Sequence, residues 1–241
     1  MYLLWLFFIA SNIYSQTVVY FNGDNAMHYL NKQCELGPRY PGSDGHINAV
    51  KLYQNHFNKY SDDVMLLNDF VIHPHSLDSI KLTNILTRFN IESDRRILLM
   101  AHFDTRDRAD KDSNPDKINL PIMGANDGAS GVAILLELSD ILHNNKLQNI
   151  GIDLLFIDGE DMGVSGNPDS WAVGTQYIAK NMLKPYPEYA ICLDMIGDKE
   201  QKFYIEGFSY MYAPEIVEKV WTLANNLGYS QFVNKVGKPI I

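Results

Sequence analysis

The hydrophobic and polar positions of this chain follow two periods in turn. From Asp24 onward, segments with apolar residues three or four positions apart, typical of helices, alternate with short apolar segments that favour strands. The helical segments are residues 24–36, 44–60, 128–143, 171–183 and 214–227, and the strand segments are residues 64–72, 80–89, 96–101, 150–157, 189–194 and 202–206. This alternation predicts an α/β domain.

Acidic and imidazole side chains are concentrated where three of the predicted strands end. In open α/β sheets the ligand crevice lies outside the carboxyl ends of the strands, so residues far apart in the chain meet there. His102 and Asp104 follow strand 96–101, Asp158, Glu160 and Asp161 follow strand 150–157, and Asp194 ends strand 189–194. We therefore expect a site at this edge of the sheet.

Asp127 lies in a run of small residues, 124–131 (GANDGASG). Small residues allow the backbone and a metal ion to approach closely, and carboxylates are common ligands of divalent metals. The alternative is that Asp127 only caps the helix that follows it. Capping does not require glycine and alanine on both sides, so the pattern favours metal ligation by Asp127.

Residues 158–161 (DGED) place three acids in four positions directly after an apolar strand. Neighbouring carboxylates repel one another, and a buried cluster needs a cation or protons to compensate. We expect Asp161 to bind a metal and Glu160 to act as general base and acid. The alternative is a solvated acidic turn.

His102 and Asp104 form a His-x-Asp triplet, in which the carboxylate is predicted to hold the second ring nitrogen of a metal-binding imidazole. Taken alone, a histidine near a strand end is more often a hydrogen-bonded structural residue. The helical histidines are expected at the surface or at its boundary, and they are His28, His46, His56 and His143.

Composition and charge narrow the functional classes. The chain has 241 residues, 46% of them hydrophobic, which is enough for one domain with a substantial core. Its net charge is -9 and its 20 basic residues are scattered, so we expect no nucleic-acid partner. The pair Arg95–Arg96 is interpreted as a solvated strand entry. Cys34 and Cys192 are predicted to be small core residues without a bridge between them.

The first 16 residues resemble a secretory signal peptide. Residues 1–10 are almost wholly apolar and residues 11–16 are mostly polar or small, although the positive amino-terminal region is missing. A buried strand or a wrongly assigned start are the alternatives. We expect a single domain from residue 17 to 241, secreted, periplasmic or in the cell envelope, without stable membrane insertion after removal of the signal.

Five motifs together resemble the zinc aminopeptidase family that also contains the glutaminyl-peptide cyclotransferases. The resemblance runs from about Phe21 to the end of the chain. In chain order the motifs are residues 37–42 (GPRYPG), 101–104 (AHFD), 124–131 (GANDGASG), 156–161 (FIDGED) and 193–197 (LDMIG). Their number and order make the resemblance specific.

The resemblance implies a three-layer α/β sandwich with a central mixed, mostly parallel sheet and one or two zinc ions at the strand ends. In the two-zinc aminopeptidases, His102 and Asp194 would be ligands, Asp127 the bridging carboxylate, Asp161 a ligand of the other zinc and Glu160 the base. In the cyclotransferases, Asp127 and Asp161 would hold a single zinc. There Glu160 would transfer the proton and Asp194 would belong to its hydrogen-bond network.

Two segments favour the cyclotransferase branch. Residues 169–177 (DSWAVGTQY) and the polar insertion 106–121 are similar to that branch. We therefore expect a cyclase that acts on peptide or protein amino termini, with an aminopeptidase or a non-catalytic peptide-binding homologue as alternatives. The family places its last zinc-binding histidine after a segment like residues 237–241. The sequence is thus interpreted as a fragment or a truncated gene product that lacks one ligand, and the chain as given is expected to bind zinc weakly and to be inactive.

Overall fold

A computed structural model describes residues 19–237, so the predicted signal peptide lies outside the described residues. The helices are α1 (Gly23–Glu35), α2 (Asp44–Tyr60), α3 (Ser130–Asn144), α4 (Val173–Lys180), α5 (Gly207–Tyr212) and α6 (Pro214–Asn226), with a 3₁₀ turn at Pro168–Ser170. The strands are β1 (Asp63–Ile72), β2 (Ser79–Phe89), β3 (Arg96–His102), β4 (Gly151–Ile157), β5 (Tyr189–Cys192), β6 (Phe203–Ile205) and β7 (Phe232–Val236).

A five-stranded sheet in the order β1-β2-β4-β3-β5 forms the middle layer. The pairs β3–β4 and β3–β5 are parallel, whereas β1–β2 and β2–β4 are antiparallel. The predicted mixed sheet is confirmed, but it is not mostly parallel, since parallel and antiparallel pairs are equal in number among the described strands of this sheet. Since β3, β4 and β5 run in one direction, their carboxyl ends meet at one edge.

Helices cover both faces of this sheet. On one face, Tyr53 and Phe57 of α2 and Leu135 of α3 pack on Phe156 of β4 in a buried cluster, and the Phe57 and Phe156 rings meet edge to face at 4.9 Å. On the other face, Ile178 of α4 belongs to a second buried cluster with side chains of the sheet. All seven residues of β4 are buried, as a continuous apolar run predicts. The expected α/β sandwich is confirmed.

Three predicted elements differ from the observed ones by two residues or more at a boundary. Helix α3 begins at Ser130 rather than 128, because Gly128 has a φ of +96° that no helix accommodates. Helix α4 covers only the middle of the predicted 171–183, since Ala172 has left-handed backbone geometry. Strand β5 ends at Cys192, so Asp194 lies in the following loop.

Arg96 is fully buried, so the prediction that it marks a solvated strand entry is wrong. Its Nε and Nη2 lie 2.7 and 2.6 Å from Asp153 Oδ1, and its guanidinium also donates to backbone carbonyls, among them Phe89. The absence of a side chain at Gly151 makes space for the guanidinium, because a Cβ there would come within 2.3 Å of Arg96 Nη1. The positive charge of Arg96 is therefore compensated by Asp153 inside the protein rather than by solvent.

Two smaller expectations concern the cysteines and membranes. Cys34 and Cys192 are both free, as predicted, but Cys192 is exposed and the core role given to it is wrong. Among the described residues, no helix is both long and apolar enough to cross a bilayer.

Candidate active site

The carboxyl ends of β3, β4 and β5 bring the predicted acidic and imidazole groups together. His102, the last residue of β3, has its Nε2 3.0 Å from Asp127 Oδ1 and 3.3 Å from Asp194 Oδ1. One ligand atom from each of these three residues lies within 4.8 Å of the other two, an arrangement that could hold a metal ion. The convergence expected from the strand ends is therefore present, and the individual roles stay predictions.

Asp127 faces the site rather than capping a helix. The N-cap of α3 is Ala129, which makes no side-chain cap hydrogen bond, so the capping interpretation of Asp127 is wrong. The His102 imidazole lowers the pKa of Asp127 below its usual value. Asp127 is thus held as an anion beside an imidazole, as a metal ligand would be.

Small residues in segment 124–131 allow the neighbouring loop to come close. A Cβ on Gly131 would lie 2.3 Å from the carbonyl oxygen of Leu193. Asn126 Oδ1 accepts a hydrogen bond from the Gly197 amide at 2.8 Å, and Ser130 Oγ accepts one from the Ile196 amide at 3.1 Å. These contacts fix the loop of Asp194 against the loop of Asp127.

Asp104 holds the backbone of the acidic loop. Its two carboxylate oxygens accept hydrogen bonds from the amides of Glu160 and Asp161, each at 3.0 Å, and its side chain is fully buried. As the His-x-Asp triplet predicts, Asp104 faces His102 Nδ1, with Oδ1 at 3.6 Å, which is ion-pair range but longer than a hydrogen bond. Within residues 19–237, His102 Nδ1 has no hydrogen-bond partner.

Glu160 and Asp161 are not a solvated turn. Their side chains are 37% and 15% exposed. Burial raises the pKa of Glu160 to about 7, opposed by His102 and reinforced by Asp104 and other nearby carboxylates. Burial, followed by the charges of Asp127 and Asp104, raises the pKa of Asp161 to about 8. The solvated-turn interpretation is wrong, and the acids lie where protonation or a cation must offset their repulsion.

The donor set fits zinc. Zinc in proteins is held by imidazole nitrogen and carboxylate oxygen, and the site offers His102 together with Asp127, Asp161 and Asp194. Burial disfavours the charged imidazole, but the surrounding carboxylates raise the pKa of His102 well above its usual value. In the metal-free protein the imidazolium thus supplies the positive charge that a bound cation would otherwise supply.

His46 lies behind the acidic loop, so the prediction that it is a surface or boundary residue is wrong. Its buried Nε2 is 2.7 Å from Asp158 Oδ2, and its ring stacks on Phe103. The same Asp158 oxygen accepts the Thr83 amide at 2.6 Å. Asp158, the first acid of the DGED motif, therefore anchors the loop and does not enter the site.

Arg106 is another residue that the sequence patterns did not single out. Its Nη1 donates to the carbonyls of Asp161 and Gly163 at 3.0 and 3.1 Å, and its other nitrogens hold Asp110. Its guanidinium lies over the Trp171 ring at 4.8 Å. These residues border a cleft of about 560 Å³ that is also lined by Asp127 and Asp161.

Known proteins resemble this chain in sequence and in structure. A curated glutaminyl-peptide cyclotransferase of Bos taurus is 26% identical over 181 residues, covering 66% of this chain and 48% of its own. The crystal structure of Tannerella forsythia glutaminyl cyclase is 38% identical, with a TM-score of 0.86 over 92% of this chain and 78% of its own. A Zn-dependent exopeptidase from Parabacteroides distasonis is 37% identical, with a TM-score of 0.88 over 93% and 79%.

The chain spans about half the length of the curated relatives that it matches. The model of peptidase family M28 matches residues 84–238, more than half of the chain, and includes the acidic motifs after β3, β4 and β5. The matched relatives are named as enzymes, and zinc is implied by the exopeptidase among them. The match to the family model shows that the chain belongs to peptidase family M28.

Proposed function

We propose that the protein converts an amino-terminal glutamine of a peptide into pyroglutamate and releases ammonia. The proposal is supported by the similarity to glutaminyl cyclases and by a buried proton-transfer group beside the metal-binding acids. The single observation that carries it is the position of Glu160, which is held by its backbone amide on Asp104 and has a pKa of about 7.

Glu160 serves as the proton-transfer group of this reaction. A carboxyl with a pKa near the working pH can both accept and donate a proton. It accepts one from the substrate's α-amine as that nitrogen bonds to the γ-carboxamide carbon, and it returns the proton to the side-chain nitrogen as the old C–N bond breaks. One C–N bond replaces another, and ammonia leaves without consumption of water.

The surrounding residues orient and tune Glu160. The negative charge of Asp194 helps to raise the pKa of Glu160, and His102 opposes it. Asp104 fixes the backbone so that Glu160 and Asp161 are presented together. Zinc held by Asp127 and Asp161 would supply a Lewis acid that polarises the carboxamide oxygen.

A peptide assay tests the proposal. The zinc-loaded protein is incubated with a glutamine-initiated peptide, and ammonia is measured together with the peptide mass. We expect ammonia in equal amount to cyclised peptide. The same peptide with an acetylated amino terminus, which has no free amine, should release none. Release of free amino acids without ammonia would reject the cyclase.

The convergence of His102, Asp127 and Asp194 favours a second candidate, a two-zinc aminopeptidase. In that enzyme these residues would hold a second zinc ion, and Glu160 would activate water for attack on the first peptide bond. The change His102→Ala separates the two. It should lower the zinc content from two to one in an aminopeptidase and leave a single zinc in a cyclase. Absence of equilibrium zinc binding by the complete protein would favour a non-catalytic peptide-binding homologue.

We also propose that residues 1–16 direct export, on the basis of their apolar pattern. Expression of the whole chain in a bacterium, followed by amino-terminal sequencing of the envelope and medium fractions, tests this. A start near residue 17 in those fractions is expected, and an intact Met1 in the cytoplasmic fraction would contradict it.

A further inference from the structure

Arg39 is a fully buried arginine in the loop between α1 and α2. Its guanidinium donates to backbone carbonyls, with Nε 3.1 Å from Phe103 O, Nη1 3.1 Å from Met123 O and Nη2 2.7 Å from Gly124 O. Longer bonds of 3.4 Å reach the carbonyls of Gln33 and Gly37. The hydrogen bonds of this guanidinium thus go to main-chain carbonyls.

Two of the loops held by Arg39 carry site residues. Phe103 separates His102 from Asp104, and Gly124 begins the segment that presents Asp127. The Arg39 amide adds a third tie, since it donates to Thr105 Oγ1 at 2.8 Å. Arg39 therefore links the loop after β3 to the loop before α3 from below the site.

These loops have little freedom to take up another arrangement. Gly124 has a φ of +59°, and a Cβ there would lie 2.3 Å from the methyl group of Thr105. A Cβ on Gly128 would lie 2.6 Å from the carbonyl oxygen of Asp104. The two loops are already in close contact. If the Arg39 guanidinium were lost, they could not move closer together to fill its space.

We infer that Arg39 is a positioning residue of the metal site, which sets the loop of His102 and Asp104 against the loop of Asp127. This inference rests on the proposed function only as far as the metal is concerned, because the link between the loops exists without metal. A lysine keeps the charge but cannot reproduce a planar fork that reaches carbonyls on separate loops.

Arg96 provides a matched control, because it is equally buried but lies at the opposite end of the sheet on Asp153. We would compare Arg39→Lys with Arg96→Lys by chelator competition for zinc, at a temperature where circular dichroism shows both variants folded. We expect Arg39→Lys to weaken zinc binding by about 10- to 100-fold, the usual cost of losing a group that orients metal ligands. Arg96→Lys should stay within about threefold.

Hydrogen–deuterium exchange of the metal-free proteins provides a second readout. The amides of Phe103 and Ile122, which bond to Ile157 O and Arg106 O, should exchange faster in Arg39→Lys than in the wild type. In Arg96→Lys these amides should keep their rates. If the wild type binds no zinc, the proposed function fails while the exchange result still decides the role of Arg39.

A milder pair covers the case in which Arg39→Lys does not fold. Thr105→Val removes the acceptor of the Arg39 amide, and Thr87→Val is its control, since Thr87 is also buried but bonds to Asp63 O far from the site. We expect Thr105→Val to weaken zinc binding about three- to tenfold and Thr87→Val to have no effect. The inference would be overturned if a variant near the site, Arg39→Lys or Thr105→Val, bound zinc as tightly as its control and its Phe103 and Ile122 amides exchanged at the wild-type rates.

Discussion

The two ends of the central sheet both bury acidic side chains, but they compensate the charge differently. At the end where β3 and β4 begin, Asp153 has two arginine neighbours, with Arg96 Nη2 at 2.6 Å and Arg88 Nε at 3.6 Å. At the end where these strands finish, Glu160 and Asp161 lie among other carboxylates, and burial and repulsion raise both of their pKa values.

This difference separates a structural ion pair from a functional site. The charge of a buried carboxylate is neutralised within the protein when a guanidinium is held beside it, so such a carboxylate does not need a ligand of opposite charge. Carboxylates that repel one another in a cleft are stabilised by protons or by an external cation. The end where acidic side chains outnumber the basic ones is therefore the end where a metal and a substrate amine are expected to bind.

The largest expected effect is on turnover. Glu160→Gln keeps the shape of the side chain but removes proton transfer, so the rate of ammonia release should fall about 10²- to 10⁴-fold. Zinc affinity should change little. The exposed Glu92, at the opposite end of the sheet, provides the control, and Glu92→Gln should retain full activity. Comparable rates for Glu160→Gln and the wild type would remove Glu160 from the mechanism.

The next effect is on stability at the compensated end. Asp153→Asn leaves the buried Arg96 without its carboxylate, and the free energy of unfolding should fall by about 3–5 kcal/mol. Urea denaturation measures this, and zinc affinity of the folded variant should match the wild type. A loss below about 1 kcal/mol would show that the pair is not what compensates the buried charge.

The smallest effect has the opposite sign. Because the pKa of Asp161 is raised in the folded protein, its ionised form destabilises the metal-free fold increasingly as the pH rises toward about 8. Asp161→Asn should therefore stabilise the metal-free protein by about 1 kcal/mol or more at pH 8, and much less at pH 5. Denaturation with a chelator present measures this, with the exposed Asp116→Asn as control. Destabilisation at pH 8 would contradict the charge crowding.

The sequence predicts the site because strand direction can be read from it. His102, Asp161 and Asp194 each follow an apolar segment of strand length, and parallel strands bring such positions to one edge. Asp127 is recognised by the glycine-rich segment around it, which the structure explains through close backbone contacts with the loop of Leu193.

The supporting residues are not predictable in this way. His46 and Asp158 are 112 positions apart, and Arg96 and Asp153 are 57 apart, so no local spacing marks them as partners. Patterns that assign a histidine in a helix or an arginine before a strand to solvent fail here, because a single distant carboxylate changes the cost of burial. The hydrogen bonds of Asp104 were missed for a similar reason, since they reach amides 56 and 57 positions away.

Zinc-dependent unfolding tests the central claim most directly. The free energy of unfolding of the wild type and of Asp127→Asn is measured across a zinc titration, with Asp116→Asn as a surface control. If the crowded carboxylates form a metal site, zinc at about 100 times its dissociation constant should stabilise the wild type and Asp116→Asn by about 2.7 kcal/mol, and should have little effect on Asp127→Asn. An identical response of all three proteins to zinc would contradict the account.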